Sequence, residues 1–131
     1  RHSRDYLMLD YDHNSIRSVD WVSGCCMMIS NLTFKKVNGF DENYFLFIED
    51  VHLCQVMKQK GLRVIYFPNA KIFHKISSSN ARLTPRLIIK RHQGMIYYNQ
   101  KYRKVNFITQ HMINSIIMAR CLLQILIKIV K

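Results

Sequence analysis

Phe45-Leu46-Phe47-Ile48-Glu49-Asp50-Val51-His52-Leu53-Cys54 sets two adjacent carboxylates between an aromatic, apolar stretch and a short amphipathic run. Beyond them Val51, Cys54 and Met57 recur at helical spacing, with Leu53 beside them, and Gly61 supplies a stop. The pattern predicts a helix that begins at the carboxylates, with Asp50 at the N-cap position. A helix N-terminus favours an ionised carboxylate, while apolar surroundings oppose it. A carboxylate held in that balance is suited to take a proton from a hydroxyl. Simple capping of the helix is the competing reading of the same pair.

On the N-terminal side, residues 19–30 (Val-Asp-Trp-Val-Ser-Gly-Cys-Cys-Met-Met-Ile-Ser) form a short apolar run with a polar end, which predicts a buried strand. Ser30 or Asn31 can cap a brief helix through Val37, closed by Gly39. Residues 40–48 are aromatic and irregular. On the C-terminal side, residues 62–67 predict a strand stopped by Pro68, and residues 71–74 a further short extended piece. Thr84-Pro85 is a helix start, with Thr as N-cap and Pro at the first helical position, for a helix reaching about Lys104. From residue 105 to 131 the chain is strongly apolar. Its polar positions Asn106, Gln110, Asn114, Arg120, Gln124, Lys128 and Lys131 fall near one helical face. The uninterrupted apolar runs are short for a spanning helix, which needs about 20 apolar residues. An amphipathic helix lying in a membrane interface, or one packed on another part of the protein, is expected instead.

Charge is distributed unevenly. The first 50 residues hold all eight acids and five Lys or Arg, net −3; residues 51–131 hold no acid and 15 Lys or Arg, net +15. Surfaces that only face water usually mix both signs, so the second half predicts an anionic partner. Among such partners an anionic membrane surface is expected. No recognised nucleic-acid motif accompanies the basic residues, despite Tyr97, Tyr98 and Tyr102 among them. The cysteines Cys25, Cys26, Cys54 and Cys121 lack a C-x-x-C spacing and are expected to be free thiols rather than a zinc site with His52. The 131 residues have room for one domain with a modest core. The chain begins at Arg1 with a polar, charged stretch, so it is expected to be cut from something longer, with no signal peptide visible.

Two further positions suit sugar chemistry. Trp21 is the single tryptophan, and Gly24 follows it closely. An aromatic face stacks on a sugar ring, and a glycine lets a ligand approach the backbone. A core role for Trp21 is the alternative. His74 closes an extended piece and opens Lys75-Ile76-Ser77-Ser78-Ser79. A neutral imidazole can ligate a divalent metal, and the adjacent lysine and hydroxyls suit phosphate oxygens; a structural histidine is the alternative.

The series Val19-Asp20-Trp21-Val22-Ser23-Gly24, Gly39-Phe40-Asp41-Glu42, residues 45–54, Gly61-Leu62-Arg63-Val64-Ile65-Tyr66-Phe67-Pro68-Asn69-Ala70 and His74 resembles the second half of bacterial family-2 glycosyltransferases. The resemblance covers about residues 6–104 and is nearest in kind to the rhamnosyltransferase-like and galactofuranosyltransferase-like members. The lead-in at residues 6–13 shares it. It implies an α/β fold, namely the acceptor-side, C-terminal half of a GT-A domain: a mixed sheet with flanking helices, followed by C-terminal amphipathic helices. Residues 1–81 would belong to the catalytic domain. Residues 82–131 would form a basic helix and a membrane-proximal helix.

The same resemblance implies an inverting transfer of a sugar, rhamnose-type favoured, from a nucleotide-sugar donor to a lipid-linked or cell-surface glycan. Asp50 would be the catalytic base and Glu49 would help orient the acceptor. Trp21 and Gly24 would line the acceptor site, Asp41 would support the loop before the carboxylates, and His74 would contact metal or diphosphate. A divalent metal, magnesium or manganese, would be held mainly by a donor-binding half that precedes this segment in the family. The protein would sit on the cytoplasmic face of the cell membrane. Asp10-Tyr11-Asp12 imitates the metal-binding Asp-x-Asp of that half. Only 38 residues separate Asp12 from Asp50, however, and the family spacing is longer. The donor half is therefore expected to be absent and the segment alone inactive. A non-catalytic, membrane-associated remnant that binds anionic lipid is the alternative.

Overall fold

The computed structural model describes residues 8, 11–45, 47–74 and 83–130. In chain order these form β1 (Arg17–Val19), a 3-10 turn (Gly24–Cys26), α1 (Asn31–Lys36), α2 (Glu49–Gln59), β2 (Val64–Tyr66), α3 (Pro85–Tyr102) and α4 (Phe107–Val130). The two strands pair antiparallel, with Arg17 opposite Tyr66 and Val19 opposite Val64. The architecture is mixed α/β. The mixed sheet expected from sequence is, among the described residues, a two-stranded ribbon.

The core lies between α2 and that ribbon. Leu53 and Cys54 have no exposed surface, and Val37, Met57 and Val64 close around them. Val19, Trp21 and Val22 pack at the edge of this cluster. Full burial of one such aliphatic side chain contributes about 1.5–3 kcal/mol, so a few residues fix the unit that carries Glu49 and Asp50.

Local signals explain the element ends. Ser30 accepts a hydrogen bond from the Thr33 N–H at 3.1 Å and starts α1. Asn38 and Gly39 turn left-handed after it, and the Gly39 N–H returns to the Phe34 carbonyl at 2.9 Å. Gly61, at φ +72°, closes α2. Thr84 caps α3 by accepting from the Leu87 N–H at 3.3 Å, with Pro85 in the first turn.

Other expectations are corrected. The strand foreseen over residues 19–30 ends at Val19. Ser23 caps the 3-10 turn, and Cys25, Cys26 and Met28 are exposed. Asp50 is not the N-cap of α2: Ile48 takes that place without a side-chain bond, and Asp50 is the second helical residue. β2 is shorter than residues 62–67 because the Leu62 N–H is spent on the Met57 carbonyl at the end of α2. Residues 71–74 join no strand and are exposed.

α3 stops at Tyr102, and Asn106 then accepts from the Thr109 N–H at 2.8 Å to open α4. Arg91, early in α3, donates to Gln124, late in α4, so the two helices form an antiparallel hairpin. At 24 residues α4 is long and apolar enough, by length and composition, to cross a membrane, which differs from the expectation that its apolar runs are too short. Arg82 and Lys131 lie outside the described residues.

Candidate active site

Asp50 sits in the first turn of α2, half-buried, and its carboxylate is held by two backbone donors. The Gly24 N–H donates to Oδ2 at 2.8 Å and the Val51 N–H to Oδ1 at 2.8 Å. A carboxylate oxygen has two acceptor directions, so each keeps one for a ligand. Glu49 turns back, and its Oε2 accepts from the Ile48 N–H at 2.9 Å, which satisfies an amide that the helix start leaves open. The capping role expected of the pair thus belongs to Glu49, and Asp50 is directed toward the turn at Gly24. A Cβ at position 24 would lie 3.4 Å from Asp50 Cβ and 3.5 Å from Oδ2. A methyl group would thus fit there in ordinary contact, and anything larger would press on the carboxylate.

The loop before α2 carries strain. Phe47 has φ +74°, in the left-handed region that a bulky residue occupies at a cost of about 1–3 kcal/mol. The Arg91 guanidinium lies 5.4 Å from the Phe47 ring centroid. Leu46 lies outside the described residues.

Asp41 is bonded within the segment before α2 and to a later partner the sequence reading missed. Its Oδ1 accepts from the Asn43 N–H at 3.0 Å and from the Asn43 amide at 2.7 Å. Its Oδ2 accepts from Lys101 Nζ at 3.0 Å. Lys101 Nζ also reaches His52 Nε2 at 3.2 Å, and that nitrogen lies 3.7 Å from Asp41 Oδ2. Burial pushes the Asp41 carboxyl up, but the hydrogen bonds from Asn43 and Lys101 outweigh it and hold it at about 2. Burial and the Lys101 charge push the His52 imidazole below its ordinary value, against the pull of Asp41. Burial lowers Lys101, yet the bond to Asp41 leaves it raised overall. Aromatic rings surround the cluster: Tyr44 lies 4.6 Å from the His52 ring centroid and 5.1 Å from that of Tyr97. The segregated charge was the available signal. Acids confined to residues 1–50 can pair with cations far along the chain, as Asp41 does with Lys101 and Asp20 with Lys58.

Trp21 is half-buried against the core and lines an open groove with Val22, Ser23, Cys25, Val51 and Lys58, so it serves packing and groove together. His74 is exposed, and no hydrogen bond or ion pair ties it to Asp50. Lys75 and Ser77 to Ser79, expected beside it, lie outside the described residues, as do Asp10 and the lead-in residues Tyr6, Leu7 and Leu9. Among the described residues no three His, Cys, Asp or Glu side chains converge to hold a metal ion. Cys25 and Cys26 are exposed free thiols, Cys54 and Cys121 buried ones.

A family model described as the N-terminal domain of galactosyltransferase matches residues 9–79. The chain is 38% identical over 68 residues to N-acetylglucosaminyl-diphospho-decaprenol L-rhamnosyltransferase of Mycobacterium tuberculosis, covering 52% of this chain and 22% of that protein. It is 37% identical over 62 residues to rhamnosyltransferase WbbL of Escherichia coli, covering 47% and 24%. A more distant match, 28% identical over 53 residues, is the low-salt glycan biosynthesis hexosyltransferase Agl10 of Haloferax volcanii, covering 40% and 17%. The chain thus spans less than a quarter of the length of each. No solved structure matches it.

Proposed function

Because the chain belongs to the family described as the N-terminal domain of galactosyltransferase, and is family-2 glycosyltransferase-like in sequence, we propose that it is the acceptor-side part of an inverting glycosyltransferase. Residues 1–81 would form the acceptor side of a GT-A catalytic domain. The donor-binding half would lie outside this segment, so the segment alone would not turn over. A rhamnose-type donor is favoured because two relatives at 37–38% identity are named rhamnosyltransferases. A lipid-linked glycan acceptor is favoured because one of them is named for a diphospho-decaprenol substrate.

In this reading Asp50 takes the proton of an acceptor hydroxyl as that oxygen attacks the anomeric carbon of the nucleotide-sugar. The bond from the anomeric carbon to the diphosphate breaks, and the nucleoside diphosphate leaves with the electron pair. Glu49 holds the helix start that aims Asp50. Trp21 and the Gly24 turn flank the acceptor path, and Asp41 keeps the preceding loop in place. The residues described here do not form a metal-binding set. Magnesium or manganese would be held mainly by the donor half, and His74 would contribute at most one contact to metal or diphosphate.

The observation that carries the reading is the Asp50 carboxylate, held by the Gly24 and Val51 amides beside the groove that Trp21 lines. In the enzyme that carries this chain, Asp50→Asn should lower single-turnover transfer by about 10²–10⁴-fold while donor affinity and fold persist. Wild-type turnover in that variant would remove Asp50 from the role.

A further inference from the structure

The hairpin of α3 and α4 leaves a broad apolar face of α4 open. Along α4 the sheltered face mixes Ile113, Ile117, Cys121 and Ile125 with Gln110, Asn114 and Gln124. Gln110 donates to Asn114 at 2.9 Å, and Gln124 accepts from Arg91. The opposite face is apolar and open: Ile108 is 71% exposed, Ile116 66%, Leu123 58% and Leu126 59%. A helix that already packs one face on its partner and still shows a row of aliphatic side chains outward suits surroundings that are not water.

We infer that the outer face of α4 beds into the surface of an anionic lipid bilayer, with the helix lying in the membrane plane. Charge complementarity selects the occupant. No acid occurs after Asp50, and Arg86, Lys90, Arg103, Lys104, Arg120 and Lys128 are exposed on or beside the hairpin. An apolar face flanked by cations, in a segment that holds no acid, suits an interface of acyl chains and anionic headgroups better than a neutral protein surface.

The fold argues against crossing. α3 runs antiparallel to α4, and Arg91 to Gln124 links them far from the connecting turn. The other side of α3 is tied to the Asp50 unit through Lys101 and Asp41 and through Tyr97 and Tyr44. An upright α4 would have to leave α3 or drag Arg86, Lys90 and Gln93, all exposed on α3, into hydrocarbon. In the membrane plane both helices keep their partners. This placement does not depend on the transferase reading.

The test is flotation of the full chain with sealed vesicles of phosphatidylcholine alone, or of phosphatidylcholine mixed with phosphatidylglycerol. Binding should require phosphatidylglycerol and weaken at high salt. Leu123→Glu with Leu126→Glu should abolish flotation at unchanged circular dichroism, since both side chains already face outward. A tag placed after Lys131 should remain open to added protease. Equal binding to neutral vesicles, a tag protected from protease, or a concentration-dependent dimer in place of vesicle binding would each overturn the inference.

Discussion

The Gly24 N–H donates to Asp50 Oδ2 at 2.8 Å, joining a turn and a helix start 26 residues apart in sequence. The donor is backbone, so the contact survives any side chain small enough to fit at position 24.

Gly24→Ala should therefore leave transfer close to wild type, because its Cβ would meet Asp50 at 3.4–3.5 Å, ordinary contact. Gly24→Val adds methyl groups to a Cβ already in contact with Asp50, and should displace the carboxylate. A misplacement of about 1 Å costs about 10²-fold, so single-turnover rates should fall by about that much. Melting temperature should barely change, because position 24 is exposed. Equal rates for the glycine and valine forms would show that the contact does not govern the carboxylate.

Lys101→Met keeps an aliphatic stem beside Tyr97 and Tyr102 but removes the charge shared by Asp41 and His52. The pair is partly exposed, so the loss at neutral pH should be about 1 kcal/mol. The pH dependence is more distinctive. Asp41 is depressed from 3.8 to about 2, so its contribution is present above 3.8 and lost as pH falls toward 2. His52 is also depressed, so its contribution is present above 6.5 and lost as pH falls below that. Without Lys101 the Asp41 carboxyl should titrate higher and the His52 imidazole also higher. The variant should then lose less stability between neutral pH and pH 5, and lose the Asp41 contribution at a higher pH. Unfolding midpoints across pH, with carboxyl and imidazole titrations by nuclear magnetic resonance, check both. Unshifted titrations would separate Lys101 from the cluster.

Gly94 lies buried inside α3, where glycine costs about 1 kcal/mol relative to alanine. A Cβ there would meet Tyr44 Cδ1 at 3.7 Å and Ile48 Cδ1 at 3.9 Å, without crowding. Gly94→Ala should raise stability by about 0.5–1 kcal/mol, read as a higher denaturation midpoint at unchanged slope. A lower midpoint would mean that α3 and the loop before α2 approach more closely than these contacts allow.

Where a residue's own chemistry decides its geometry, the sequence was readable. Thr84-Pro85 opens a helix, Ser30 caps another, and Gly39 and Gly61 turn left-handed after the helices they close. Residues 19–30 misled because an apolar run looks alike whether buried or exposed. Ser23 and the pull of Asp50 on Gly24 make a turn there instead. The place of Asp50 at the start of α2 was visible, but its bond to the Gly24 amide was not, since that needs the two segments side by side. The polar stripe of α4 was visible too, whereas the sheltering of Gln110, Asn114 and Gln124 beside exposed Arg120 and Lys128 depends on a partner helix.

The bond between Lys101 and Asp41 spans 60 residues, which gives the candidate site a history in time. A nascent chain lengthens at about 5–20 residues per second, so about 3–12 s pass between synthesis of Asp41 and of Lys101. During that interval α2 and the ribbon can already close around Leu53 and Val64, because their contacts are nearer in sequence. The loop leading to Asp50 can by then rest Tyr44 on His52, but it lacks the cation of Asp41. A polypeptide halted before residue 101 would display the carboxylate on a formed helix behind a loop without that ion pair. The pair becomes possible only once the basic helix has been made.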